Sequence, residues 1–150
     1  MDPVDATGPM RLVLCAFPAD GTAERVARSA LDRRLAACVQ ELPVRSQYWW
    51  KGRIEAADET LVVFKTVPKR VGALFRFLAG AHPYEVPEIL ELDVPRVHPP
   101  YLAYLASTID ADAPPMPLGG GRPPARRRRG ARRGRAVRAP GRTRARRPRP

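Results

Sequence analysis

Two side chains that could bind a soft metal ion lie far apart in this sequence. Cys15 sits inside the apolar run LVLCAF, and His82 sits in the stretch AHPYEVPE, residues 81–88. A thiolate and an imidazole are donors suited to copper(I) or zinc. A structural zinc site needs four ligands, however, and the sequence has neither a CxxC nor an HxxH pair. Glu85 or a neighbouring chain would have to complete the coordination. The alternative is a buried core cysteine and a histidine that only ends a helix.

A cysteine and a histidine can also form a nucleophilic pair. Such a pair needs an orienting third group and a set of donors for the oxyanion. No glycine-rich turn follows Cys15, and no G-x-x-x-x-G-K phosphate loop is present. We therefore expect a protein that is not an enzyme.

The elements that carry these residues follow from hydrophobic spacing and turn residues. LVLCAF predicts a buried strand, and the residues from Thr22 repeat with helical spacing. Lys51-Gly52 predicts a hairpin turn between strand 2, over Cys38 to Trp50, and strand 3, which ends in LVVFKT at Thr66. Pro68 predicts the start of a second helix that Pro83 stops. A strand over 89–94 and a final helix opened by Pro99-Pro100 complete the order β-α-β-β-α-β plus one helix. This order is the ferredoxin-like α+β arrangement.

Right-handed crossovers fix the predicted strand order as 4-1-3-2. Strand 4 then lies antiparallel beside strand 1, so His82 and Glu85 should reach the same edge of the sheet as Cys15. The helices cover only one face of such a sheet. Because LVLCAF and LVVF are apolar on both faces, we expect a partner subunit to cover the other face.

The charge of the chain is divided sharply along its length. The 150 residues carry a formal charge of +12, but all fifteen acidic residues lie at or before Asp112, and the last fourteen basic residues are arginines between Arg122 and Arg149. We predict a flexible leader at 1–10, a folded domain at 11–110 and a disordered tail at 111–150 rich in proline, glycine and arginine. Residues 122–149 would bind nucleic acid without sequence preference.

The cellular setting follows from what the sequence lacks. The start shows no signal-peptide pattern, and no run is long and apolar enough to span a membrane. We expect a cytoplasmic protein that does not bind membranes, with both of its cysteines, Cys15 and Cys38, free.

Several segments together resemble the CutA-like divalent-cation tolerance proteins. They are LVLCAFP, LAACVQ, QYWWKGRIE, FKT, AHPYEVPEIL and PPYLAYL, in this order over about residues 10 to 109. The resemblance implies a homotrimer of ferredoxin-like subunits, with a long hairpin over 38–66 that embraces the next subunit. Tyr48, Trp49 and Trp50 near the hairpin tip would be trimer contacts. The resemblance also implies a role in copper or other divalent-cation tolerance, with Cys15 and His82 as copper ligands. A histidine that precedes His82 in some members is Ala81 here.

A second function fits the same fold. Trimers of ferredoxin-like subunits also serve as signalling proteins that bind small ligands between subunits. Lys65, Tyr84 and Glu85 could line such a cleft in this chain. This alternative is an analogy at the level of the fold.

Overall fold

The computed structural model describes residues 8–110. Its elements are β1 (Met10–Pro18), α1 (Thr22–Asp32), β2 (Cys38–Trp50), β3 (Arg53–Thr66), α2 (Pro68–Ala81), β4 (Ile89–Val94) and α3 (Pro99–Ile109). The predicted α+β class is confirmed. Residues before position 11 already take part in the fold, because Met10 opens β1 and the Gly8 amide donates to Asp93. The rest of the predicted leader, residues 1–7, and the predicted tail, residues 111–150, lie outside the described residues.

The four strands form one antiparallel sheet in the order β2-β3-β1-β4. This is the order predicted from right-handed crossovers. β1 lies between β3 and β4, so that Cys15 is opposite Val62 on one side and Ile89 on the other.

The main core lies between the sheet and helices α1 and α2. Alternate residues of β1 (Val13, Cys15 and Phe17) point to this side and are fully buried. They pack with Val62 and Phe64 of β3 and with the apolar stripes of the two helices. Burial of this surface is the main stabilising contribution to the fold.

A long hairpin extends beyond the sheet. β2 and β3 are paired from Cys38 and Lys65 out to Trp50 and Arg53, whereas β1 pairs with β3 only as far as Glu59. Lys51 and Gly52 both have positive φ, 47° and 78°, as a type I′ turn requires. Residues 45–58 therefore form a two-stranded ribbon, which is named the ribbon below.

The second face of the sheet is apolar and only partly covered. The side chains that the strand registers place on this open face include Leu12, Leu14, Leu42, Leu61, Val63, Leu90 and Leu92. Helix α3 covers one end, where Leu105 and Ile109 pack on Met10 and Val67, with Leu12 at the margin. Outside the area that α3 covers, Leu42, Leu90 and Leu92 keep 45%, 48% and 44% of their surface exposed.

Candidate functional site at the His82 edge of the sheet

His82 lies where α2 ends and turns toward β1. Helix α2 stops at Ala81, and His82 already has extended backbone, with φ −77° and ψ 136°. Because Pro83 disfavours a helical conformation in the residue before it, this exit is encoded locally. The side chain is 9% exposed and stacks on Phe17, with 4.6 Å between ring centroids and 17° between planes.

Both ring nitrogens of His82 are engaged in hydrogen bonds. Nε2 lies 2.7 Å from the carbonyl oxygen of Ala16, which can only accept, so Nε2 carries the proton. Nδ1 lies 3.1 Å from the backbone nitrogen of Tyr84, which can only donate, so Nδ1 accepts. The network thus selects the neutral Nε2–H tautomer. The lone pair with which a neutral imidazole would bind a metal is directed at the Tyr84 amide.

Tyr84 connects this turn to the third strand. Its hydroxyl donates to Oε2 of Glu59 across 3.0 Å, and its ring lies 4.8 Å from that of His82. Glu59 is only 6% exposed and lies opposite Pro18, where the ribbon leaves the sheet. The end of α2, the end of β1 and the base of the ribbon therefore meet through polar contacts at one edge.

Sequence reasoning missed Glu59 as a member of this cluster. Glu59 is one of several charged residues in β3, and the sequence pattern of that strand does not distinguish it from the others. The register with Pro18 is the signal that places it at the edge, and that register requires the structure.

Cys15 is at the same edge but is enclosed by the core. The side chain has no exposed surface. Burial, with a smaller contribution from the charge of Glu88, raises the pKa of the Cys15 thiol from 9.0 to about 12. Cys15 is therefore a thiol, not a thiolate, at neutral pH, whereas metals bind the thiolate.

The donors within residues 8–110 do not form a metal centre in a single chain. Among residues 8–110, no group of three or more histidine, cysteine, aspartate or glutamate side chains could hold a metal ion. Ala81, where some CutA-like proteins have a histidine, is exposed and supplies no donor. Coordination by Cys15 and His82 would require proton loss from the buried thiol and the release of a His82 hydrogen bond.

The predicted cleft residues do not meet within one chain. Tyr84 contacts Glu59, and Glu85 is exposed in the same turn. Lys65 is six positions from Glu59 along β3, about 20 Å at strand spacing. Its Nζ lies 5.6 Å from the centre of the Tyr101 ring on α3.

The predicted contact aromatics lie on the ribbon, as expected from their sequence position. Trp49 is 72% exposed and lies opposite Ile54, which is 64% exposed. Tyr48 and Trp50 are half-buried, and the Nζ atom of Lys51 lies 5.9 Å from the Trp50 ring centre. The ribbon thus carries an exposed apolar pair close to its tip.

The fold and this edge define a small ferredoxin-like α+β protein with an open apolar sheet face and a protruding ribbon. The family model described as "CutA1 divalent ion tolerance protein" matches residues 11–108. The chain therefore belongs to the CutA1 divalent ion tolerance family, and the resemblance found in the sequence is confirmed.

Individual relatives agree with this assignment. The divalent-cation tolerance protein CutA of Thermotoga maritima is 37% identical over 100 residues, which are 67% of this chain and 99% of that protein. Protein CutA of Mus musculus is 43% identical over 89 residues, and the match spans 59% of this chain and about half of the mouse protein. The crystal structure of CutA from Xylella fastidiosa superposes with a TM-score of 0.66 at 35% identity, covering 69% of this chain and all of that one.

No helix within residues 8–110 is both long enough and apolar enough to span a bilayer.

Proposed function

We propose that this family member acts in divalent-cation tolerance as a homotrimer whose subunits bury the open face of the sheet. The observation that carries the proposal is the exposure of Leu42, Leu90 and Leu92, at 44% to 48%, on a face where Leu12, Leu14, Leu61 and Val63 are also apolar. A contiguous apolar surface of this kind on a small protein marks an interaction site. The trimer, as the particular oligomer, is supported by the resemblance of the sequence to the CutA-like family.

The ribbon supports the same proposal. An isolated two-stranded hairpin is at best marginally stable in water, and residues 45–58 extend past the last β1 pairing. Trp49 and Ile54 would gain burial against a neighbouring subunit, and aromatic residues contribute strongly to interface energies. The predicted role of Tyr48, Trp49 and Trp50 as trimer contacts belongs to this proposal.

Native mass spectrometry of the full chain tests the oligomer. The expected particle has three times the 16.6 kDa mass of one chain. Leu90→Lys places a charge in the open face and should shift the population to monomer. The matched control is Ala79→Lys, which adds the same charge at an exposed position of α2 and should leave the trimer intact. A monomeric parent, or equal behaviour of the two variants, contradicts the proposal.

Copper binding at Cys15 and His82 is the second part of the proposal, and it is supported by donor chemistry and family membership. The two soft donors lie at one edge of the sheet, but the described residues of one chain supply no third ligand. We therefore assign no chemical step to a metal at this edge. The predicted binding of copper(I) would be coupled to deprotonation of the buried thiol and would strengthen as the pH rises.

Competition for copper(I) with a chelator, under anaerobic reducing conditions, tests this part. The full chain, Cys15→Ser, His82→Gln and Cys38→Ser are compared, and thermal melting confirms that each variant is folded. Loss of affinity in the first two variants with retention in Cys38→Ser supports the site. Equal affinity in all four proteins, or binding that disappears only with Cys38→Ser, excludes it.

A further inference from the structure

An apolar groove lies between the start of α2 and the end of α3. Val67, Pro68 and Lys69 line it from the side of α2, and Ala106 and Asp110 line it from the side of α3. Its volume is about 300 Å³, which is enough to hold apolar side chains of a second segment. The charged groups at its rim neutralise each other, because the Nζ atom of Lys69 lies 2.8 Å from Oδ2 of Asp110. The groove is therefore suited to an apolar occupant.

The chain leaves the described domain at the rim of this groove. Asp110 follows α3 with extended backbone, at φ −95° and ψ 99°. Its position is fixed twice, because its amide donates to the carbonyl oxygen of Ala106 across 2.9 Å and its carboxylate pairs with Lys69. The residues that follow Asp110 therefore start beside the groove.

The next residues of the sequence have the composition of a groove-binding segment. Residues 111–118 read ADAPPMPL, with three prolines and two large apolar side chains, Met116 and Leu118. Proline favours the polyproline II conformation, and a segment that already has this conformation loses little entropy when it binds an apolar groove. Residues 119–150 differ, since three glycines and fourteen arginines follow, with Val137 as the only sizeable apolar residue.

We propose that residues 112–118 bind in the groove of their own chain, with Met116 and Leu118 as the apolar contacts. Leu118 is eight positions after Asp110, and an extended chain spans about 3.3–3.6 Å per residue, so both side chains can reach the groove. A tether this short gives the segment an effective concentration of about the millimolar range, so that weak contacts are sufficient. The disordered tail predicted from position 111 then starts only at position 119.

Charge at the same place favours this segment over other apolar occupants. Arg70 makes no ion pair with a carboxylate of residues 8–110, and within that range its buried Nε has no acceptor. One of its terminal nitrogens lies 3.5 Å from the carbonyl oxygen of Ile109, so the guanidinium is beside the end of α3. Asp112 is the first acidic residue after the described fold and the last in the chain. Its carboxylate would pair with Arg70 when the segment binds.

Methyl NMR of the full chain, with its three methionines labelled, tests the proposal. The Met116 methyl group reports on the groove, and loss of one signal in Met116→Leu assigns it. Met10, which is 5% exposed and belongs to the same core cluster as Val67, reports on folding. The Met116 methyl should show nuclear Overhauser contacts to the methyl groups of Val67 and Ala106. Its chemical shift should differ from that in a free peptide of residues 109–120.

Two lysine substitutions on α3 form a matched pair. Ala106→Lys places a long charged side chain in the groove, so the Met116 signal should move to its position in the free peptide. Ala103→Lys adds the same charge at an exposed position one turn earlier, outside the groove lining, and should leave the signal unchanged. Asp112→Asn should weaken the Met116 contacts by at least about twofold, and unchanged contacts in this variant would contradict the pairing with Arg70.

The Leu90→Lys variant separates the groove of the same chain from that of a neighbouring copy. The proposal does not depend on the trimer, because the segment starts at the rim of its own groove. The Met116 contacts should therefore persist in this variant, whether or not the parent protein is a trimer.

Three results overturn the proposal. The first is a Met116 methyl signal at the position of the free peptide, without contacts to the groove. The second is an equal effect of Ala106→Lys and Ala103→Lys on that signal. The third is loss of the contacts in Leu90→Lys while the Met10 signal stays at its folded position, which would place the segment in the groove of a neighbouring copy.

Discussion

His82 donates its Nε2–H to the backbone carbonyl of Ala16 across 2.7 Å, and this bond ties the end of α2 to the last residues of β1. Sixty-six positions of sequence separate the two residues. The ring also stacks on Phe17 and accepts the Tyr84 amide proton. One side chain thus fixes the turn that leads into β4.

Replacement of His82 should therefore destabilise the fold. His82→Ala leaves the Ala16 carbonyl and the Tyr84 amide without their partner, and it removes the stacking on Phe17. Unpaired buried polar groups cost about 1–3 kcal/mol each, so we expect a loss of at least about 2 kcal/mol. Urea denaturation followed by circular dichroism, at one protein concentration for all variants, measures this loss.

His98→Ala provides the control for that measurement. His98 is exposed at the start of α3 and makes no side-chain capping bond. Its replacement should change the free energy of unfolding by less than about 0.5 kcal/mol. If both histidine variants were equally stable, His82 would not fix the turn.

The buried thiol of Cys15 predicts a loss of stability in alkaline solution. Its pKa is raised from 9.0 to about 12 in the folded protein, so the folded state holds its proton more tightly than the unfolded chain does. The contribution of the Cys15 thiol to the free energy of unfolding is complete below about pH 9 and is lost as the pH rises from 9 toward 12. At about pH 10.5 the loss should reach about 2 kcal/mol.

Comparison with Cys15→Ala isolates this contribution. Urea midpoints at neutral and alkaline pH, in the presence of a reductant, should fall more steeply for the parent than for the variant. Tyr101, whose pKa is also raised by burial and by Cys38, titrates in both proteins and cancels in the comparison. Parallel pH curves would show that the Cys15 thiol is not shielded from water.

The ion pairs of Arg11 should matter more than the surface pairs. Arg11 is 4% exposed and lies 2.9 Å from Glu91 and 2.5 Å from Asp93, so it binds β4 to β1. Asp93 also accepts the Gly8 amide. Asp93→Ala removes a charged acceptor from both donors, and we expect a cost of about 2 kcal/mol.

Asp58→Ala is the matched test at the surface. Asp58 pairs with Arg45 on the ribbon, where the two side chains are 78% and 66% exposed. Exposed pairs contribute less than about 1 kcal/mol. Thermal unfolding of both variants in low and high salt should show a large effect of Asp93→Ala at either salt. An equal effect of the two substitutions would mean that the Arg11 pairs are screened like surface pairs.

Replacement by alanine should have opposite effects at Gly52, in the hairpin turn, and at Gly80, in α2. Gly52 has φ +78°, and a Cβ atom there would meet nothing within 4 Å, so Gly52→Ala should cost about 1 kcal/mol through backbone strain alone. Gly80 lies in α2 without a positive φ and also has open space around it. Gly80→Ala should stabilise the protein by about 0.5–1 kcal/mol. Melting temperatures that move in the same direction for both variants would contradict the assigned turn.

The sequence predicted the architecture well because topology is governed by few rules. Apolar runs, proline and glycine positions and the handedness of crossovers give the strand order and bring His82 to the end of β1. The hydrogen bonds of the His82 ring could not be predicted, since they depend on the exact exit path of α2. Glu59 and Lys65 belong to the same strand and look alike in a sequence pattern. Only the register shows that one contacts Tyr84 and the other lies beside Tyr101.

The position of β4 has a consequence for synthesis of the chain on the ribosome. The β2–β3 hairpin joins neighbouring segments and can close early, whereas β1 pairs with β4 across about eighty residues of sequence. Until residue 94 has left the ribosome, the edge of β1 that later pairs with β4 has unpaired backbone donors and acceptors. Nascent chains that end before β4 therefore display an aggregation-prone strand edge, and they should depend on chaperones more than the finished domain does.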